Sequence, residues 1–323
     1  MIKTGKIEKQ LRLKTPRKKD RRIPLITPGK TVYSERFPEY ALNEEEIRQL
    51  QDCLLEMFLD IRQLCDDNGI RYIMSGGSCL GTVRHEGFIP WDDDIDLMMT
   101  RAEYKRFRAA FFKAQKKGFL TDYLLAEPLK SELYYFKIPK IYKKNTEYLQ
   151  INYMGNPHYN MVSLDIFLIE YMPESRLIRS VRSAVFDFAF YASSFCLDDL
   201  YPSPVILEKC KTDLELRRFY RFRRSLGALF SHLGGIRFYL KVCSRLQSYP
   251  KKTSLMGVPS SRSYSREILD AAVFTELASG TFCGYTVNIP RNYDAYLRNL
   301  FGNYMEIPPE DEREIHTALG IRV

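Results

Sequence analysis

The chain has 323 residues, 45% of them hydrophobic, and a formal net charge of +9, which is enough apolar material for a sizeable core and excludes a wholly disordered chain. No apolar run reaches the roughly 18 to 20 residues of a membrane-spanning helix, and the charged N-terminus has no apolar stretch behind it of the kind that makes a secretory leader. Seven scattered cysteines, never spaced C-x-x-C, argue against a disulfide framework or a structural zinc site and suit a reducing cytoplasm.

The charge is unevenly placed. Between Met1 and Arg22 ten Lys or Arg stand against Glu8 and Asp20, so nearly all of the surplus belongs to this tail. Residues 1–30 are poor in large apolar side chains and are expected to be disordered. The tail reads either as a solvated segment or as a polybasic contact to anionic lipid or another polyanion. It lacks interleaved aromatics and any reader motif, so no nucleic-acid partner is expected.

The next element is a helix from Asn43 to Asp67. Asn43 can cap it, Glu46 stands where a capping box wants an acid, and Gly69 stops it. Ile47, Leu50, Leu54, Phe58, Ile61 and Leu64 recur at three-to-four spacing and predict a core-facing stripe. A strand is expected over Ile70–Met74, then a short helix near Ser78–His85, a second strand around Trp91–Met99 and a helix over Arg101–Lys116. Further strands are expected over Tyr134–Tyr142 and Met161–Ile169. This order predicts an α/β (α+β) core over residues 31–172, a mixed sheet flanked by helices.

From 173 to 265 the character changes to long helical stretches rich in arginine and aromatics, expected to form an additional helical lobe. Arg217, Arg218, Arg221, Arg223 and Arg224 alternate there with Phe219, Tyr220 and Phe222. They predict either a packed helix with a solvated basic face or a membrane-surface or phosphate-rich acceptor site. Residues 249–265 read as a loop, and 266–323 return to the core.

Chemistry concentrates in Met74–Met99, where a glycine-rich turn precedes four aspartates within five residues. On a strand, Asp92, Asp94 and Asp96 would share one face while Asp93, Ile95 and Leu97 take the other. Carboxylates so close repel one another unless a cation neutralises them. Without His or Cys at ligand spacing, the expected ions are hard ones, Mg²⁺ or Mn²⁺, held by Asp94 and Asp96. Asp165, inside the apolar run Val162–Phe167, is the candidate third ligand, because a lone buried carboxylate is costly. Gly76, Gly77 and Ser78 form a turn whose backbone N–H groups can cradle a phosphate. Arg84 can clamp phosphate oxygens, and His85 is a candidate for donor or acceptor contact or for a structural hydrogen bond. Trp91 either packs under the aspartates or walls the pocket against a cationic head group.

The stretch Gly81–Asp96, GTVRHEGFIPWDDDID, closely resembles the signature of the LicD family. Leu164–Phe167, Asn288–Tyr293, the Tyr296–Met305 segment with Phe301 and Gly302, and Pro308 and Pro309 are similar to further parts of its pattern. The likeness runs from about Glu44 to Glu170 and again from Val273 to His316. It implies a nucleotidyltransferase-like fold related to the fukutin proteins. It also implies metal-dependent transfer of phosphocholine or a similar group from a CDP-linked donor such as CDP-choline to a cell-surface glycan or its lipid-linked precursor. Carried over by position, Asp94, Asp96 and Asp165 become the metal ligands and Gly76, Gly77 and Ser78 the phosphate turn. Lys140 becomes a weaker candidate for donor phosphate contact, since Tyr142 stands nearby where a polar residue is expected. The expected place is the cytoplasm, including peripheral contact with the inner face of its membrane. Two other readings stay open: transfer of the nucleotide itself with pyrophosphate release, and a non-catalytic protein that binds a polyanion through its tail.

Overall fold

The computed structural model describes residue 23 and residues 29–261, 263–313 and 317–323; the basic tail of residues 1–22 lies outside the described residues. In chain order, α1 (Gly29–Arg36) and α2 (Glu44–Asp67) lead to β1 (Ile73–Met74), α3 (Gly76–Arg84), β2 (Asp96–Thr100) and α4 (Arg101–Lys116). β3 (Tyr123–Ala126), β4 (Lys140–Lys143), β5 (Glu147–Gln150) and β6 (Ser163–Tyr171) follow. Next comes a helical run of α5 (Arg176–Leu200), α6 (Pro204–Lys209), α7 (Leu214–His232) and α8 (Gly235–Gln247). The chain closes with β7 (Leu255–Gly257), β8 (Ile268–Asp270), α9 (Ala271–Thr275), β9 (Leu277–Phe282), β10 (Tyr285–Pro290), α10 (Tyr293–Phe301) and β11 (Ala318–Arg322).

The main sheet runs in the order β1-β2-β6-β4-β3, and β7 and β8 extend it from β6. β2 and β6 are parallel, while the other pairs in this sheet are antiparallel. It is therefore the mixed sheet the sequence predicts. α2 forms as expected: Asn43 accepts from the Glu46 N–H and the Glu46 carboxylate accepts from the Asn43 N–H, and past its end Gly69 takes φ +58°, a conformation that favours glycine. Leu50, Leu54, Phe58, Ile61 and Leu64 are buried, joined by Cys53, Met57 and Cys65. They share one core with Leu97, Met99 and Ile166 of the sheet and with Phe107 and Phe111 of α4.

Several strands are shorter than the pattern suggests. β1 keeps only two residues, and β4 begins at Lys140, directly after Pro139, which has no N–H for a ladder. The expected strand around Trp91–Met99 is a strand only from Asp96. Upstream, Asp92 N–H bonds to Ile89 O and the Gln51 amide donates to Ile89 O and Asp92 O. A side chain from α2 thus meets carbonyls that a neighbouring strand would otherwise bind. The expected loop over 249–265 contains β7, whose three residues are too few for a period to show.

α5, α7 and α8 form the helical lobe around Phe186, Cys196, Tyr239, Leu240 and Cys243, and Tyr33 of α1 meets Phe219 of α7 edge-on, with Phe37 in the same cluster. The arginine run of α7 is split. Arg217 donates to the carbonyls of Cys210 and Lys211, and Arg218 and Arg221 are exposed. Arg223 is buried between the rings of Phe195 and Phe219 and bonds to Asp198 at 2.5 Å and Ser194 at 2.7 Å. Asp198→Ala would strand this guanidinium, so a stability loss on the order of 3 kcal/mol is expected in urea unfolding; an unchanged midpoint would show that the pair is dispensable. All seven cysteines are free thiols. Among the described residues no helix is long and apolar enough to cross a membrane.

Candidate active site

Strand register builds the site. Asp96 is the parallel partner of Asp165, and Lys140 is the antiparallel partner of Asp165 on its other side. Three sequence-distant residues therefore stand in one row across β2, β6 and β4, with neighbouring strands about 4.8 Å apart. Lys140 Nζ lies 2.6 Å from one Asp165 oxygen and 2.9 Å from the other. Burial works against the Lys140 ammonium, yet the groups around it, Asp165 first and then Tyr153 and Asp96, together hold its pKa above the ordinary lysine value. Tyr142, two residues on, is buried against Tyr134 and Tyr159, so it serves packing.

Asp94 precedes this row, on the segment that is not a strand. One carboxylate oxygen from each of Asp92, Asp93 and Asp94 lies within 4.8 Å of the others. Asp93 is turned inward and accepts a hydrogen bond from the Tyr148 hydroxyl. The Asp96 carboxyl is raised well above the usual range, first by burial and then by the negative charges of Asp94, Asp165 and Asp92, with Lys140 opposing. The acids therefore form one repelling group spread over two sequence segments. Hard oxygen donors so close together fit a divalent cation.

The glycine turn is the first turn of α3, with Ser75 at its N-cap and Gly76 at φ +50°. A Cβ on Gly77 would come within 2.8 Å of an Asp92 oxygen, and one on Gly76 within 3.4 Å of an Asp96 oxygen. The positive φ of Gly76 favours glycine, and a side chain at residue 77 would push the Asp92 carboxylate aside. Ser78 points back to β2: its hydroxyl accepts from the Asp96 N–H at 2.8 Å, while Ser75 N–H donates to Asp96 O at 2.9 Å. An anion at this helix end would sit beside Asp92 and Asp96, so it needs cations between itself and the acids.

Arg84 and His85 stand at the far end of α3, about 12 Å along its axis from Gly76 at 1.5 Å per residue. Arg84 donates to the carbonyls of Tyr304 at 2.6 Å and Glu306 at 3.1 Å, fastening the C-terminal segment rather than reaching the turn. His85 accepts from Arg84 Nε at 3.4 Å, and its pKa is lowered by burial and then by Arg84. Trp91 carries the Arg313 guanidinium over its ring at 4.1 Å.

A cavity of about 150 Å³ opens on Asp93, Asp94, Asp165 and Lys140, walled by Tyr33, Tyr148, Asn152 and Tyr153. Sequence reading missed these walls, because Tyr33 arrives from the α1 region and the others from beyond β4, with no local pattern to mark them. Tyr296 of α10 falls in the C-terminal stretch of the resemblance, which assigns it no role. Its buried hydroxyl accepts from the Gly76 N–H at 3.1 Å, lies 3.3 Å from Ser75 Oγ and donates to buried Glu267 at 3.0 Å. The C-terminal part of the chain thereby pins the glycine turn. Tyr296→Phe leaves the Gly76 N–H unpaired, so a stability loss of about 1–2 kcal/mol and a roughly tenfold fall in turnover, ~1.4 kcal/mol of barrier, are expected. Full activity in steady-state assays would remove this positioning role.

A mixed sheet in which a glycine-opened helix feeds an acid-bearing strand is the arrangement of a nucleotidyltransferase-type domain. Residues 69–181 match the family model described as "LicD/FKTN/FKRP, nucleotidyltransferase domain". It is 24% identical to the lipopolysaccharide cholinephosphotransferase LicD of Haemophilus influenzae over 84% of this chain and 95% of that protein. Two uncharacterized rickettsial proteins match over shorter stretches. That of Rickettsia prowazekii is 26% identical over 29% of this chain and 34% of its own length. That of Rickettsia typhi is 27% identical over 28% of each.

Proposed function

We propose that this chain transfers a phospho-alcohol group, phosphocholine or a close analogue, from a CDP-linked donor to a hydroxyl of lipopolysaccharide or a lipid-linked glycan precursor. The supporting observation is the likeness to the Haemophilus cholinephosphotransferase along nearly its whole length, with the acids and the glycine turn meeting at one end of the sheet. Asp94, Asp96 and Asp165 would hold Mg²⁺ or Mn²⁺, with Asp92 close enough to share the task. Bound there, the ions would neutralise the donor diphosphate and the charge that develops on the leaving CMP.

The first turn of α3 orients the diphosphate through backbone N–H groups, and Gly77 admits it next to Asp92. Asp165 takes the proton of the acceptor hydroxyl on a carboxylate oxygen, and the adjacent Lys140 ammonium holds that carboxylate in place. The acceptor oxygen then attacks the distal phosphorus in line, forming the new P–O bond as the bond to CMP breaks. Tyr33, Tyr148 and Tyr153 limit water around the acids. On this reading the protein works in the cytoplasm, at the inner face of the membrane.

The family model's description as a nucleotidyltransferase domain favours a second reading, transfer of the nucleotide itself. The two differ in what is released. CMP formed from CDP-choline in the presence of the acceptor supports phosphocholine transfer. Pyrophosphate formed from CTP and a phospho-alcohol, with no turnover of CDP-choline, would replace it with the second reading.

A further inference from the structure

The lobe turns an apolar surface outward that its own core does not use. On α5, Leu177 (75% exposed), Val181 (56%), Val185 (45%) and Phe188 (56%) are exposed. Their spacing of three to four residues lines them up on one face of the helix, a stripe about 16 Å long at 1.5 Å per residue. The stripe continues onto its neighbours. The Phe188 ring meets Phe230 of α7 at 5.7 Å and Tyr239 of α8 at 6.4 Å, and Phe238, half exposed, meets Tyr239 at 5.2 Å. Leu229 and Leu233 flank Phe230 and are also exposed.

The exposed charge on the helices that carry this surface has one sign, with exposed Glu174 just before the start of α5. The exposed charged residues of α5, α7 and α8 are Arg176, Arg218, Arg221, Arg237, Lys241 and Arg245, and no Asp or Glu of these three helices is exposed. A second copy docked by the same face across a two-fold axis would bring these cations against each other. The tail is no better as a cover, since its first 22 residues are themselves strongly cationic. An apolar stripe on helices whose exposed charges are all cationic suits an anionic bilayer surface, which takes rings and aliphatic chains at the boundary between headgroups and acyl chains and pairs cations with phosphates.

We infer that the outer face of α5, with the adjoining ends of α7 and α8, inserts shallowly into an anionic lipid bilayer. This inference rests on the lobe alone and holds whichever group the active site transfers.

The test uses the full chain with Phe188→Trp, and with Val181→Trp as a second reporter in case the first disturbs the fold. Each is mixed with phosphatidylcholine vesicles with or without 30 mol% phosphatidylglycerol, carrying bromines high on the acyl chains. Trp91 is the single native tryptophan, so the parent protein supplies the background. The inference expects bromine quenching of the added tryptophan with the anionic vesicles, at least fivefold weaker with pure phosphatidylcholine and in the Arg237→Glu/Lys241→Glu background. Co-sedimentation without quenching means attachment through the tail alone and overturns it, as does absence of binding. A dimer in analytical ultracentrifugation that Phe188→Ser dissociates assigns the face to a second copy and overturns it too.

Discussion

Asp94→Asn and Asp96→Asn should each cut transfer by at least about 10³-fold, roughly 4 kcal/mol of barrier, while the protein stays folded. Asparagine keeps the volume of aspartate, and the bonds that place residue 96 are made by its backbone with Ser75 and Ser78, so the loss reports on the carboxylate. Stability should move the other way. The Asp96 carboxyl is buried beside Asp94, Asp165 and Asp92, and removing one negative charge relieves that repulsion, so Asp96→Asn should melt a few degrees higher in metal-free buffer. CMP release and thermal melts check the two halves together. Activity within about tenfold of the parent would end the assignment of these acids to the chemistry.

Stripping divalent ions with EDTA should abolish turnover, and Mg²⁺ or Mn²⁺ should restore it. A readout independent of activity follows from linkage: an ion that binds only the folded chain adds about 2.7 kcal/mol of stability at a hundred times its dissociation constant. The melting temperature should therefore rise with Mg²⁺ concentration in the parent and rise far less in Asp94→Asn. A parent protein that melts at the same temperature with and without the ion would leave Asp92, Asp93 and Asp94 as a cluster managed by Tyr148 and other protein groups.

Local chemistry made part of this legible in advance. The Asn43 cap, the Glu46 partner and the Leu50–Leu64 stripe act within a few residues of one another, so α2 could be read to its ends; so could α4, which spans Arg101–Lys116 as expected. The glycines and the aspartates were visible because both are costly where they stand. What sequence could not carry is register. Nothing near Lys140 announces that it will pair with Asp165, and nothing near Tyr296 says that its hydroxyl will receive the Gly76 N–H. Regular alternation also misled: it made residues 91–95 a strand, whereas Gln51 of α2 binds that segment's carbonyls. Arg84 was read by its chemical type alone, and its bonds to the Tyr304 and Glu306 carbonyls depend on where the C-terminus returns.

β6 joins the two halves of the molecule. It carries Asp165 near its start, and at its other end Glu170 and Tyr171 are laddered to Met256 and Gly257 of β7, a strand that the chain reaches only after the whole helical excursion. Cutting out the helices together with β7 would leave a raw sheet edge, open to pairing with other chains. A shortened catalytic fragment would therefore have to keep the returning strand and splice residue 172 to it. Insertions and deletions in this lobe should be tolerated at the turns between its helices and resisted where it rejoins the sheet.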